Sequence, residues 1–350
     1  MTKNPRIVII RLSSIGDVLH CTPVARTLKE TMPECHITWI VGQVAADMLR
    51  YNPYIDELYV WPREQWEKAM RAGRFREAWQ LWQQLRSYFK TKQYDIAFDI
   101  HGLFLSGMVI AASHAPRRIG LSNTRELNHL FMTETAPPPA GPHVIQRYLS
   151  ALQPLNITTS DYRMTLVVPP SAAVFAESIL QQHQVSPQDK LVAVNPVTTW
   201  SAKNWPPEYF ATVIQELSRH AKILLCGGPS DRAISDNIVN LAGVPVIDAV
   251  GRTSLLEMAA LLQRSQVLVV GDTGPLHIST AVGTPSVSIF GATDYRRYGP
   301  LDPGHTILTG ETTCPPCHKT VCRTKDLRCL KSTTPETVVR HTLSILNSQS

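Results

Sequence analysis

The sequence predicts an α/β protein made of two strand-first halves, each built on a parallel sheet, and three observations carry that expectation. Residues 267–291, VLVVGDTGPLHISTAVGTPSVSIFG, give the clearest local signal. Four apolar, mostly β-branched residues lead to Gly271, a helix-compatible run follows from Pro275, and a second apolar strand begins at Val287. Strand, glycine-containing turn, short helix and strand make a βαβ unit, the building block of a parallel sheet. The second observation is a restart. The chain opens strand-first at residues 6–12 (RIVIIRL) and does so again at residues 191–194 (LVAV), after a Pro169-Pro170 pair that suits a linker. Length is the third: 350 residues exceed one ordinary open-sheet core and suit two domains of about 150 to 180 residues. The expected domains are residues 1–168 and 169–350.

Composition narrows the class. Hydrophobic residues at 43% and charged residues at 18% describe a soluble, well-buried globular chain. The net charge of +6 fits acidic substrates or an anionic membrane surface and is poor support for nucleic acid, so no nucleic-acid partner is expected. No apolar run approaches the roughly 18 to 20 residues that span a bilayer. Arg11 interrupts the apolar stretch at residues 7–12 before a signal-peptide core can form. The expectation is a cytoplasmic protein whose seven cysteines are mostly reduced.

In the first half, residues 6–12 read as a strand apolar enough to be buried on both faces. Ser13, Ser14, Ile15, Gly16 and Asp17 follow, and residues 18–30 read as a helix. Gly16 permits close backbone approach, and Asp17 stands where the first strand opens into the crevice beyond a parallel sheet. Position alone supports two roles for Asp17: a capping or first-turn carboxylate, or a carboxylate, ionised at neutral pH, with a face toward a ligand. Residues 35–41, 57–60 and 95–100 are the next strands, the last ending at His101-Gly102. Arg117-Arg118-Ile119-Gly120 reads as a basic turn after a further β/α pair, and residues 136–142 (APPPAGP) as a loop.

Residues 62–93 stand apart from this rhythm. They carry eight Lys or Arg against three Glu, nearly the whole net charge, with Trp61, Trp66, Trp79 and Trp82 in or beside them. Such a basic helical insert suits a peripheral membrane contact. It equally suits a solvated helix whose tryptophans pack on the domain.

In the second half a helix at residues 172–184 precedes the strand at 191–194, which leads into residues 195–205, NPVTTWSAKNW. There Thr198, Thr199 and Lys203 could line a phosphate site with Lys203 as a point charge; an exposed loop with a solvated lysine is the plainer alternative. Residues 221–226 are the next strand, entering the Gly-rich turn at 227–231, GGPSD, before a helix. After a helix at 255–266 the chain reaches the opening βαβ unit. Pro275 suits the first helical turn, where its missing N–H costs nothing. That turn would aim free backbone N–H groups and a positive dipole end at the crevice, a place for a phosphate. The alternative is an ordinary βα turn with a buried His277.

Taken together, several of these sites resemble the ADP-heptose–lipopolysaccharide heptosyltransferases, glycosyltransferase family 9. The motifs are residues 11–20 (RLSSIGDVLH), 198–205 (TTWSAKNW) and 271–277 (GDTGPLH), with the turns at 99–102 and 227–231 in the family's order. The resemblance implies the GT-B architecture, two Rossmann-like domains with parallel sheets facing a central cleft. Residues 1–168 would be the acceptor side and 169–350 the nucleotide-sugar side, with a last helix at 336–346 returning toward the first domain. It implies Asp17 as catalytic base, with Thr198, Thr199 and Lys203 on the donor diphosphate and Lys203 also stabilising charge on the departing ADP. Asp272, Thr273, Gly274 and His277 match the donor-binding turn, and Asp231 the acidic residue near the donor ribose. Ser14, Gly16, His101, Arg117 and Arg118 fall on the acceptor side.

The implied reaction is inverting transfer of heptose from ADP-heptose to a lipid-linked lipopolysaccharide core acceptor, at the inner face of the cytoplasmic membrane. One essential carboxylate suffices, because a phosphate leaving group needs no general acid, in contrast to the paired carboxylates of glycoside hydrolysis. No cofactor is implied, and a divalent cation with the donor is compatible. Two features depart from the family's pattern: the insert at 62–93, and the segment with Cys314, Cys317, Cys322 and Cys329. Four thiolates at C-x2-C-x4-C-x6-C spacing could hold zinc or an iron–sulfur centre, form a disulfide, or stay free in a reducing compartment. Rival readings keep the fold with another nucleotide sugar or acceptor, make it an epimerase, or make it a catalytically silent nucleotide-sugar-binding protein.

Overall fold

The computed structural model describes residues 4–310 and 314–348. The chain divides into two compact units, Met1–Leu166 and Val167–Ser350. Pro170 opens the first helix of the second unit, where its fixed φ suits an N-terminal turn.

The first unit runs β1 (Arg6–Ile10), α1 (Ile15–Thr31), β2 (His36–Gly42), β3 (Glu57–Trp61), α2 (Arg63–Arg71), α3 (Phe75–Lys90), β4 (Ile96–Asp99), α4 (Phe104–Ala112), β5 (Arg117–Gly120), β6 (Glu134–Thr135) and α5 (Val144–Leu149). Its six strands form one sheet in the order β3-β2-β1-β4-β5-β6, all pairings parallel. β1 is buried from Ile7 onward, as a strand covered on both faces must be. α1 is buried from Val18 through Leu28 and so lacks the polar stripe of a surface helix. Val8, Ile10, Ile40, Trp61, Leu85 and Phe89 belong to one core cluster, which places α3 over one face of the sheet.

One sequence expectation is corrected here. Arg117-Arg118-Ile119-Gly120 is not a turn but the strand β5, between β4 and β6. Two arginines can sit in a strand because each finds partners at the sheet's flank. Arg117 donates to both oxygens of Glu134 at 2.7 and 2.8 Å, and Arg118 to the carbonyls of Phe131 and Ala115 at 2.8 and 2.9 Å.

The second unit runs α6 (Pro170–Gln182), β7 (Leu191–Asn195), α7 (Pro207–Leu217), β8 (Lys222–Leu225), α8 (Arg232–Ala242), β9 (Ile247–Asp248), α9 (Leu255–Arg264), β10 (Val267–Gly271), α10 (Gly274–Ala281), β11 (Ser286–Phe290), α11 (Tyr295–Tyr298), β12 (Thr306–Thr309), α12 (Arg328–Lys331) and α13 (Pro335–Ser348). Its sheet has the order β12-β11-β10-β7-β8-β9, again all parallel. The last helix, given a place toward the first domain by the family resemblance, packs Val338 and Leu346 into the second unit's own core, on α7, β10 and β11. Trp205 anchors that end of the chain: fully enclosed, it donates from Nε1 to the carbonyls of Leu330 and Thr333 at 3.2 and 3.1 Å.

Both sheets follow one plan. The strand order reverses between β1 and β4 in the first unit and between β7 and β10 in the second.

Candidate active site

In an open parallel sheet, ligands bind beyond the carboxyl ends of the strands where the order reverses. In the first unit that place is built by the loop from β1 into α1 and the loop after β4. Asp17 lies in the first turn of α1. Its Oδ2 is 2.8 Å from Arg11 Nη2 and accepts the Ser14 hydroxyl at 2.9 Å, and its Oδ1 accepts the Tyr148 hydroxyl at 2.8 Å. Arg11 also donates to the Ile100 carbonyl at 2.8 Å, so one buried guanidinium ties the ends of β1 and β4 together. Burial by itself would raise the Asp17 pKa, but Arg11, the Tyr148 hydroxyl, His20 and Ser14 outweigh it and hold the carboxyl well below its ordinary value. Asp17 is therefore an anion throughout the physiological range, and its side chain keeps 30% exposure. Burial, followed by the Asp17 charge among other neighbours, pushes the Tyr148 phenol well above its usual range, which leaves it a hydrogen-bond donor.

His101 completes the arrangement. Burial first, then the guanidiniums of Arg11 and Arg63, pull its pKa from 6.5 to about 3, so the ring is neutral. Its Nδ1 is buried and makes no hydrogen bond among the described residues. The loop that presents it is built by Asp99, fully buried, which accepts the backbone N–H groups of His101 and Gly102 at 2.9 and 3.0 Å and Asn128 Nδ2 at 2.7 Å. Gly102 has φ +80°, a conformation that favours glycine. Arg63, at the start of α2, donates to the Ser13 hydroxyl and adds a second guanidinium at this edge.

In the second unit the reversal lies between β7 and β10. Lys203 Nζ is 2.7 Å from Asp272 Oδ2 and stacks over the Trp200 ring at 4.3 Å. Asp272 also accepts the Thr293 hydroxyl at 2.5 Å, with His277 Nε2 at 4.0 Å from its other oxygen. Thr198 is fixed by its backbone N–H and hydroxyl to Asn204 Oδ1, at 2.8 and 2.9 Å. Gly271 lets the two loops close: a Cβ there would lie 3.0 Å from Thr198 Cγ2. Thr273 is the N-cap of α10, Gly274 its first residue, and Pro275 lies in the first turn, so backbone N–H groups open beside the Lys203–Asp272 pair.

Ser14, Gly16, Asp17 and His101 thus gather at one reversal, and Thr198, Lys203, Asp272, Thr273, Gly274 and His277 at the other. Thr199 follows Thr198 and is exposed. Asp231 closes its own turn after β8, accepting Gly228 N–H at 2.8 Å and the Ser230 hydroxyl at 3.2 Å. Arg117 and Arg118 are not brought to the Asp17 edge: Arg117 is level with Ile96 and Ile7, at the opening end of the strands. Sequence reasoning did not assign Arg11, Tyr148 or Thr293 to the site. A charged residue closing the apolar run of β1 was a visible signal for Arg11; the other two carried none.

Among the described residues no group of three or more His, Cys, Asp or Glu is arranged to hold a metal ion. Among the described residues no disulfide joins the cysteines; Cys329 is buried and Cys317 exposed. Nor, among the described residues, is any helix long and apolar enough to cross a membrane.

Known proteins resemble this chain in sequence and in fold. The sequence profile of glycosyltransferase family 9 (heptosyltransferase) matches residues 78–328. The chain is 24% identical over 307 residues to the lipopolysaccharide core heptosyltransferase OpsX of Haemophilus influenzae, covering 86% of this chain and 83% of that protein. Among solved structures it is similar to a family 9 glycosyltransferase from Veillonella parvula, with a TM-score of 0.84 at 24% identity over 99% of both chains. It is also similar to the E. coli ADP-heptose lipopolysaccharide heptosyltransferase II, with a TM-score of 0.76 at 19% identity over 98% of this chain and 99% of that one. These likenesses show the fold as GT-B, two Rossmann-like α/β units.

Proposed function

The chain belongs to glycosyltransferase family 9, and from that premise we propose that it transfers a heptose from ADP-heptose to a lipid-linked saccharide of the lipopolysaccharide core. The names of the relatives above support the donor and the acceptor class. The observation that carries the reading is Asp17, held ionised at the first reversal with a face exposed. In a single inverting displacement the acceptor hydroxyl loses its proton to Asp17, its oxygen bonds to the anomeric carbon, and the bond from that carbon to the diphosphate breaks on the opposite face.

The strong hold of Arg11 and Tyr148 on Asp17 makes it a weak base. Proton transfer is then late, once the attacking oxygen has begun to bond and become acidic. Neutral His101 stands beside Asp17 without adding a charge to compete for the acceptor. Lys203 and the N–H groups opening α10 supply positive charge to the departing ADP. Thr198, Thr199, Thr273, Gly274 and His277 line the donor side, with Asp272 aiming Lys203 and Asp231 toward the ribose. This set needs no cofactor, because lysine and helix dipole provide the charge that a divalent cation would; transfer is expected to survive excess chelator. The enzyme would work in the cytoplasm, against the inner face of the membrane.

Asp17→Asn is expected to lower kcat by about 10²- to 10⁴-fold, the range for a positioned base, with ADP affinity by calorimetry unchanged. Near-normal turnover would reject Asp17 as the base. Binding of UDP or GDP in preference to ADP would reject the donor.

A further inference from the structure

The basic segment between β3 and β4 forms a helical hairpin, α2 and α3, and its two faces differ. The inner face is ordinary core: Trp61 is enclosed, and Trp66, Trp82 and Tyr88 pack against the cluster that holds Leu85 and Phe89. Three of the four tryptophans that made the segment unusual are thereby accounted for. The fourth is not. Trp79 is 57% exposed and Phe75, one helical turn before it on the same face of α3, 65% exposed. Met70 is exposed across the turn, which Gly73 makes at φ +70°.

The basic residues lie at the same tip. All residues from 70 to 76 are exposed, and among them Arg71 keeps 83% of its side chain in solvent. Glu77 offsets Arg74 at 2.8 Å, and Glu67 is engaged by Arg63 at 2.6 Å and reaches Arg71 at only 3.8 Å. Lys68 and Arg76 make no ion pair among the described residues.

The position of the tip follows from the contacts of α3 with β3. Lys92 reaches Glu57 at the start of β3 at 2.8 Å, Tyr88 stacks on Tyr59 at 4.0 Å, and Trp61, the last residue of β3, bonds the Leu81 carbonyl at 3.4 Å. α3 therefore runs antiparallel to β3, and residues 75–80 project past the carboxyl end of the sheet, by roughly 9 Å at 1.5 Å per residue. That is the edge at which Asp17 stands, and Arg63 at the foot of α2 touches its loop.

We infer that this tip docks the first unit onto an anionic lipid bilayer, with Phe75, Trp79 and Met70 entering the interface and Lys68, Arg71 and Arg76 meeting headgroup charge. Aromatic and apolar side chains ringed by Lys and Arg are the chemistry of interfacial binding, and each basic residue adds attraction that salt screens. Docking by an overhang on the Asp17 side brings the catalytic edge toward saccharides anchored in the same bilayer. That purpose rests on the proposed lipid-linked acceptor; the docking itself does not.

The test uses the full chain and sedimentation with vesicles of phosphatidylethanolamine and phosphatidylglycerol, against vesicles of phosphatidylcholine alone. Binding to the anionic vesicles, weakened by salt and at least about tenfold by either Phe75→Ser/Trp79→Ser or Arg71→Glu/Arg76→Glu, is expected. Thermal melts and ADP affinity of both variants should match the parent, because the tip side chains leave core and donor site intact. Equal binding to both vesicle types, unchanged binding by the variants, or Trp79-dependent self-association in place of vesicle binding would overturn the docking surface. A transfer assay separates the two readings. The variants should keep kcat/KM on a deacylated, water-soluble acceptor and lose it on a vesicle-embedded one. Absence of transfer by the parent to either acceptor would sink the proposed reaction and leave the vesicle result standing.

Discussion

His101 couples the first unit to pH through its burial and, after that, through two neighbouring guanidiniums. The unfolded chain takes up a proton near the ordinary value of 6.5, whereas burial, Arg11 and Arg63 delay that uptake in the folded state to about 3. Between these values the unfolded state binds more protons, so stability is fully present above 6.5 and declines as pH falls, by at most about 1.4 kcal/mol per pH unit. Asp17 adds the same sign further down. Its folded pKa lies below the ordinary 3.8, so the stability from its partners is present above that value and lost as pH drops through the folded one. His101→Asn should flatten the dependence between pH 6.5 and 4 in a series of denaturant melts; an unchanged slope would show that His101 titrates as a free histidine. Lys203 makes a different case. It is 15% exposed and its partner Asp272 6%, so Lys203→Met strands a buried carboxylate and is expected to cost about 3 to 5 kcal/mol. It should also weaken ADP binding at least tenfold, beyond what Lys203→Arg does. Wild-type ADP affinity in a folded Lys203→Met protein would remove the lysine from the donor site.

At the scale of elements, the second unit depends on how its chain end is fastened. Trp205, from the loop before α7, holds the carbonyls of Leu330 and Thr333 and so couples α12 and the start of α13 to the core. Trp205→Leu should destabilise this unit by about 3 kcal/mol, combining lost burial with two carbonyls left without their donor; a change under 0.5 kcal/mol in denaturant unfolding would contradict that coupling. The same scale shows what could be read in advance. The loops after β1 and β10 were legible because each joins an apolar strand to glycine and a few polar residues, and the loop after β7 because its apolar strand runs into two threonines and a lysine, patterns confined to about ten neighbours. β5 was not, since Arg117 is paired by Glu134 and Arg118 is held by the carbonyl of Phe131, both supplied later in the chain. Tyr148 was still further out of reach: it meets Asp17 across 131 residues, and only the packed sheet and helices bring the two together. The hairpin was legible as basic and aromatic, but which tryptophan stays outside is decided by packing on β3.

At the scale of the whole chain, two units repeat one strand order, and each carries its own core cluster: Val8 to Phe89 and neighbours in one, Val192 to Leu346 in the other. All proposed donor residues lie in the second unit, so donor binding should stabilise the two units unequally. A ligand that binds only the folded form stabilises by RT ln(1 + [L]/Kd), about 2.7 kcal/mol at a hundredfold excess over Kd. Amides of β7, β8 and β10 that exchange only when the second core opens should therefore slow about 100-fold with ADP at that excess. Amides of β1 and β4 have no donor residue in their unit and should slow far less. Hydrogen exchange on the intact protein with and without ADP measures both at once. Equal slowing throughout would mean that the two cores open as one body, and slowing confined to β1 and β4 would move the nucleotide to the Asp17 unit and overturn the division of roles between them.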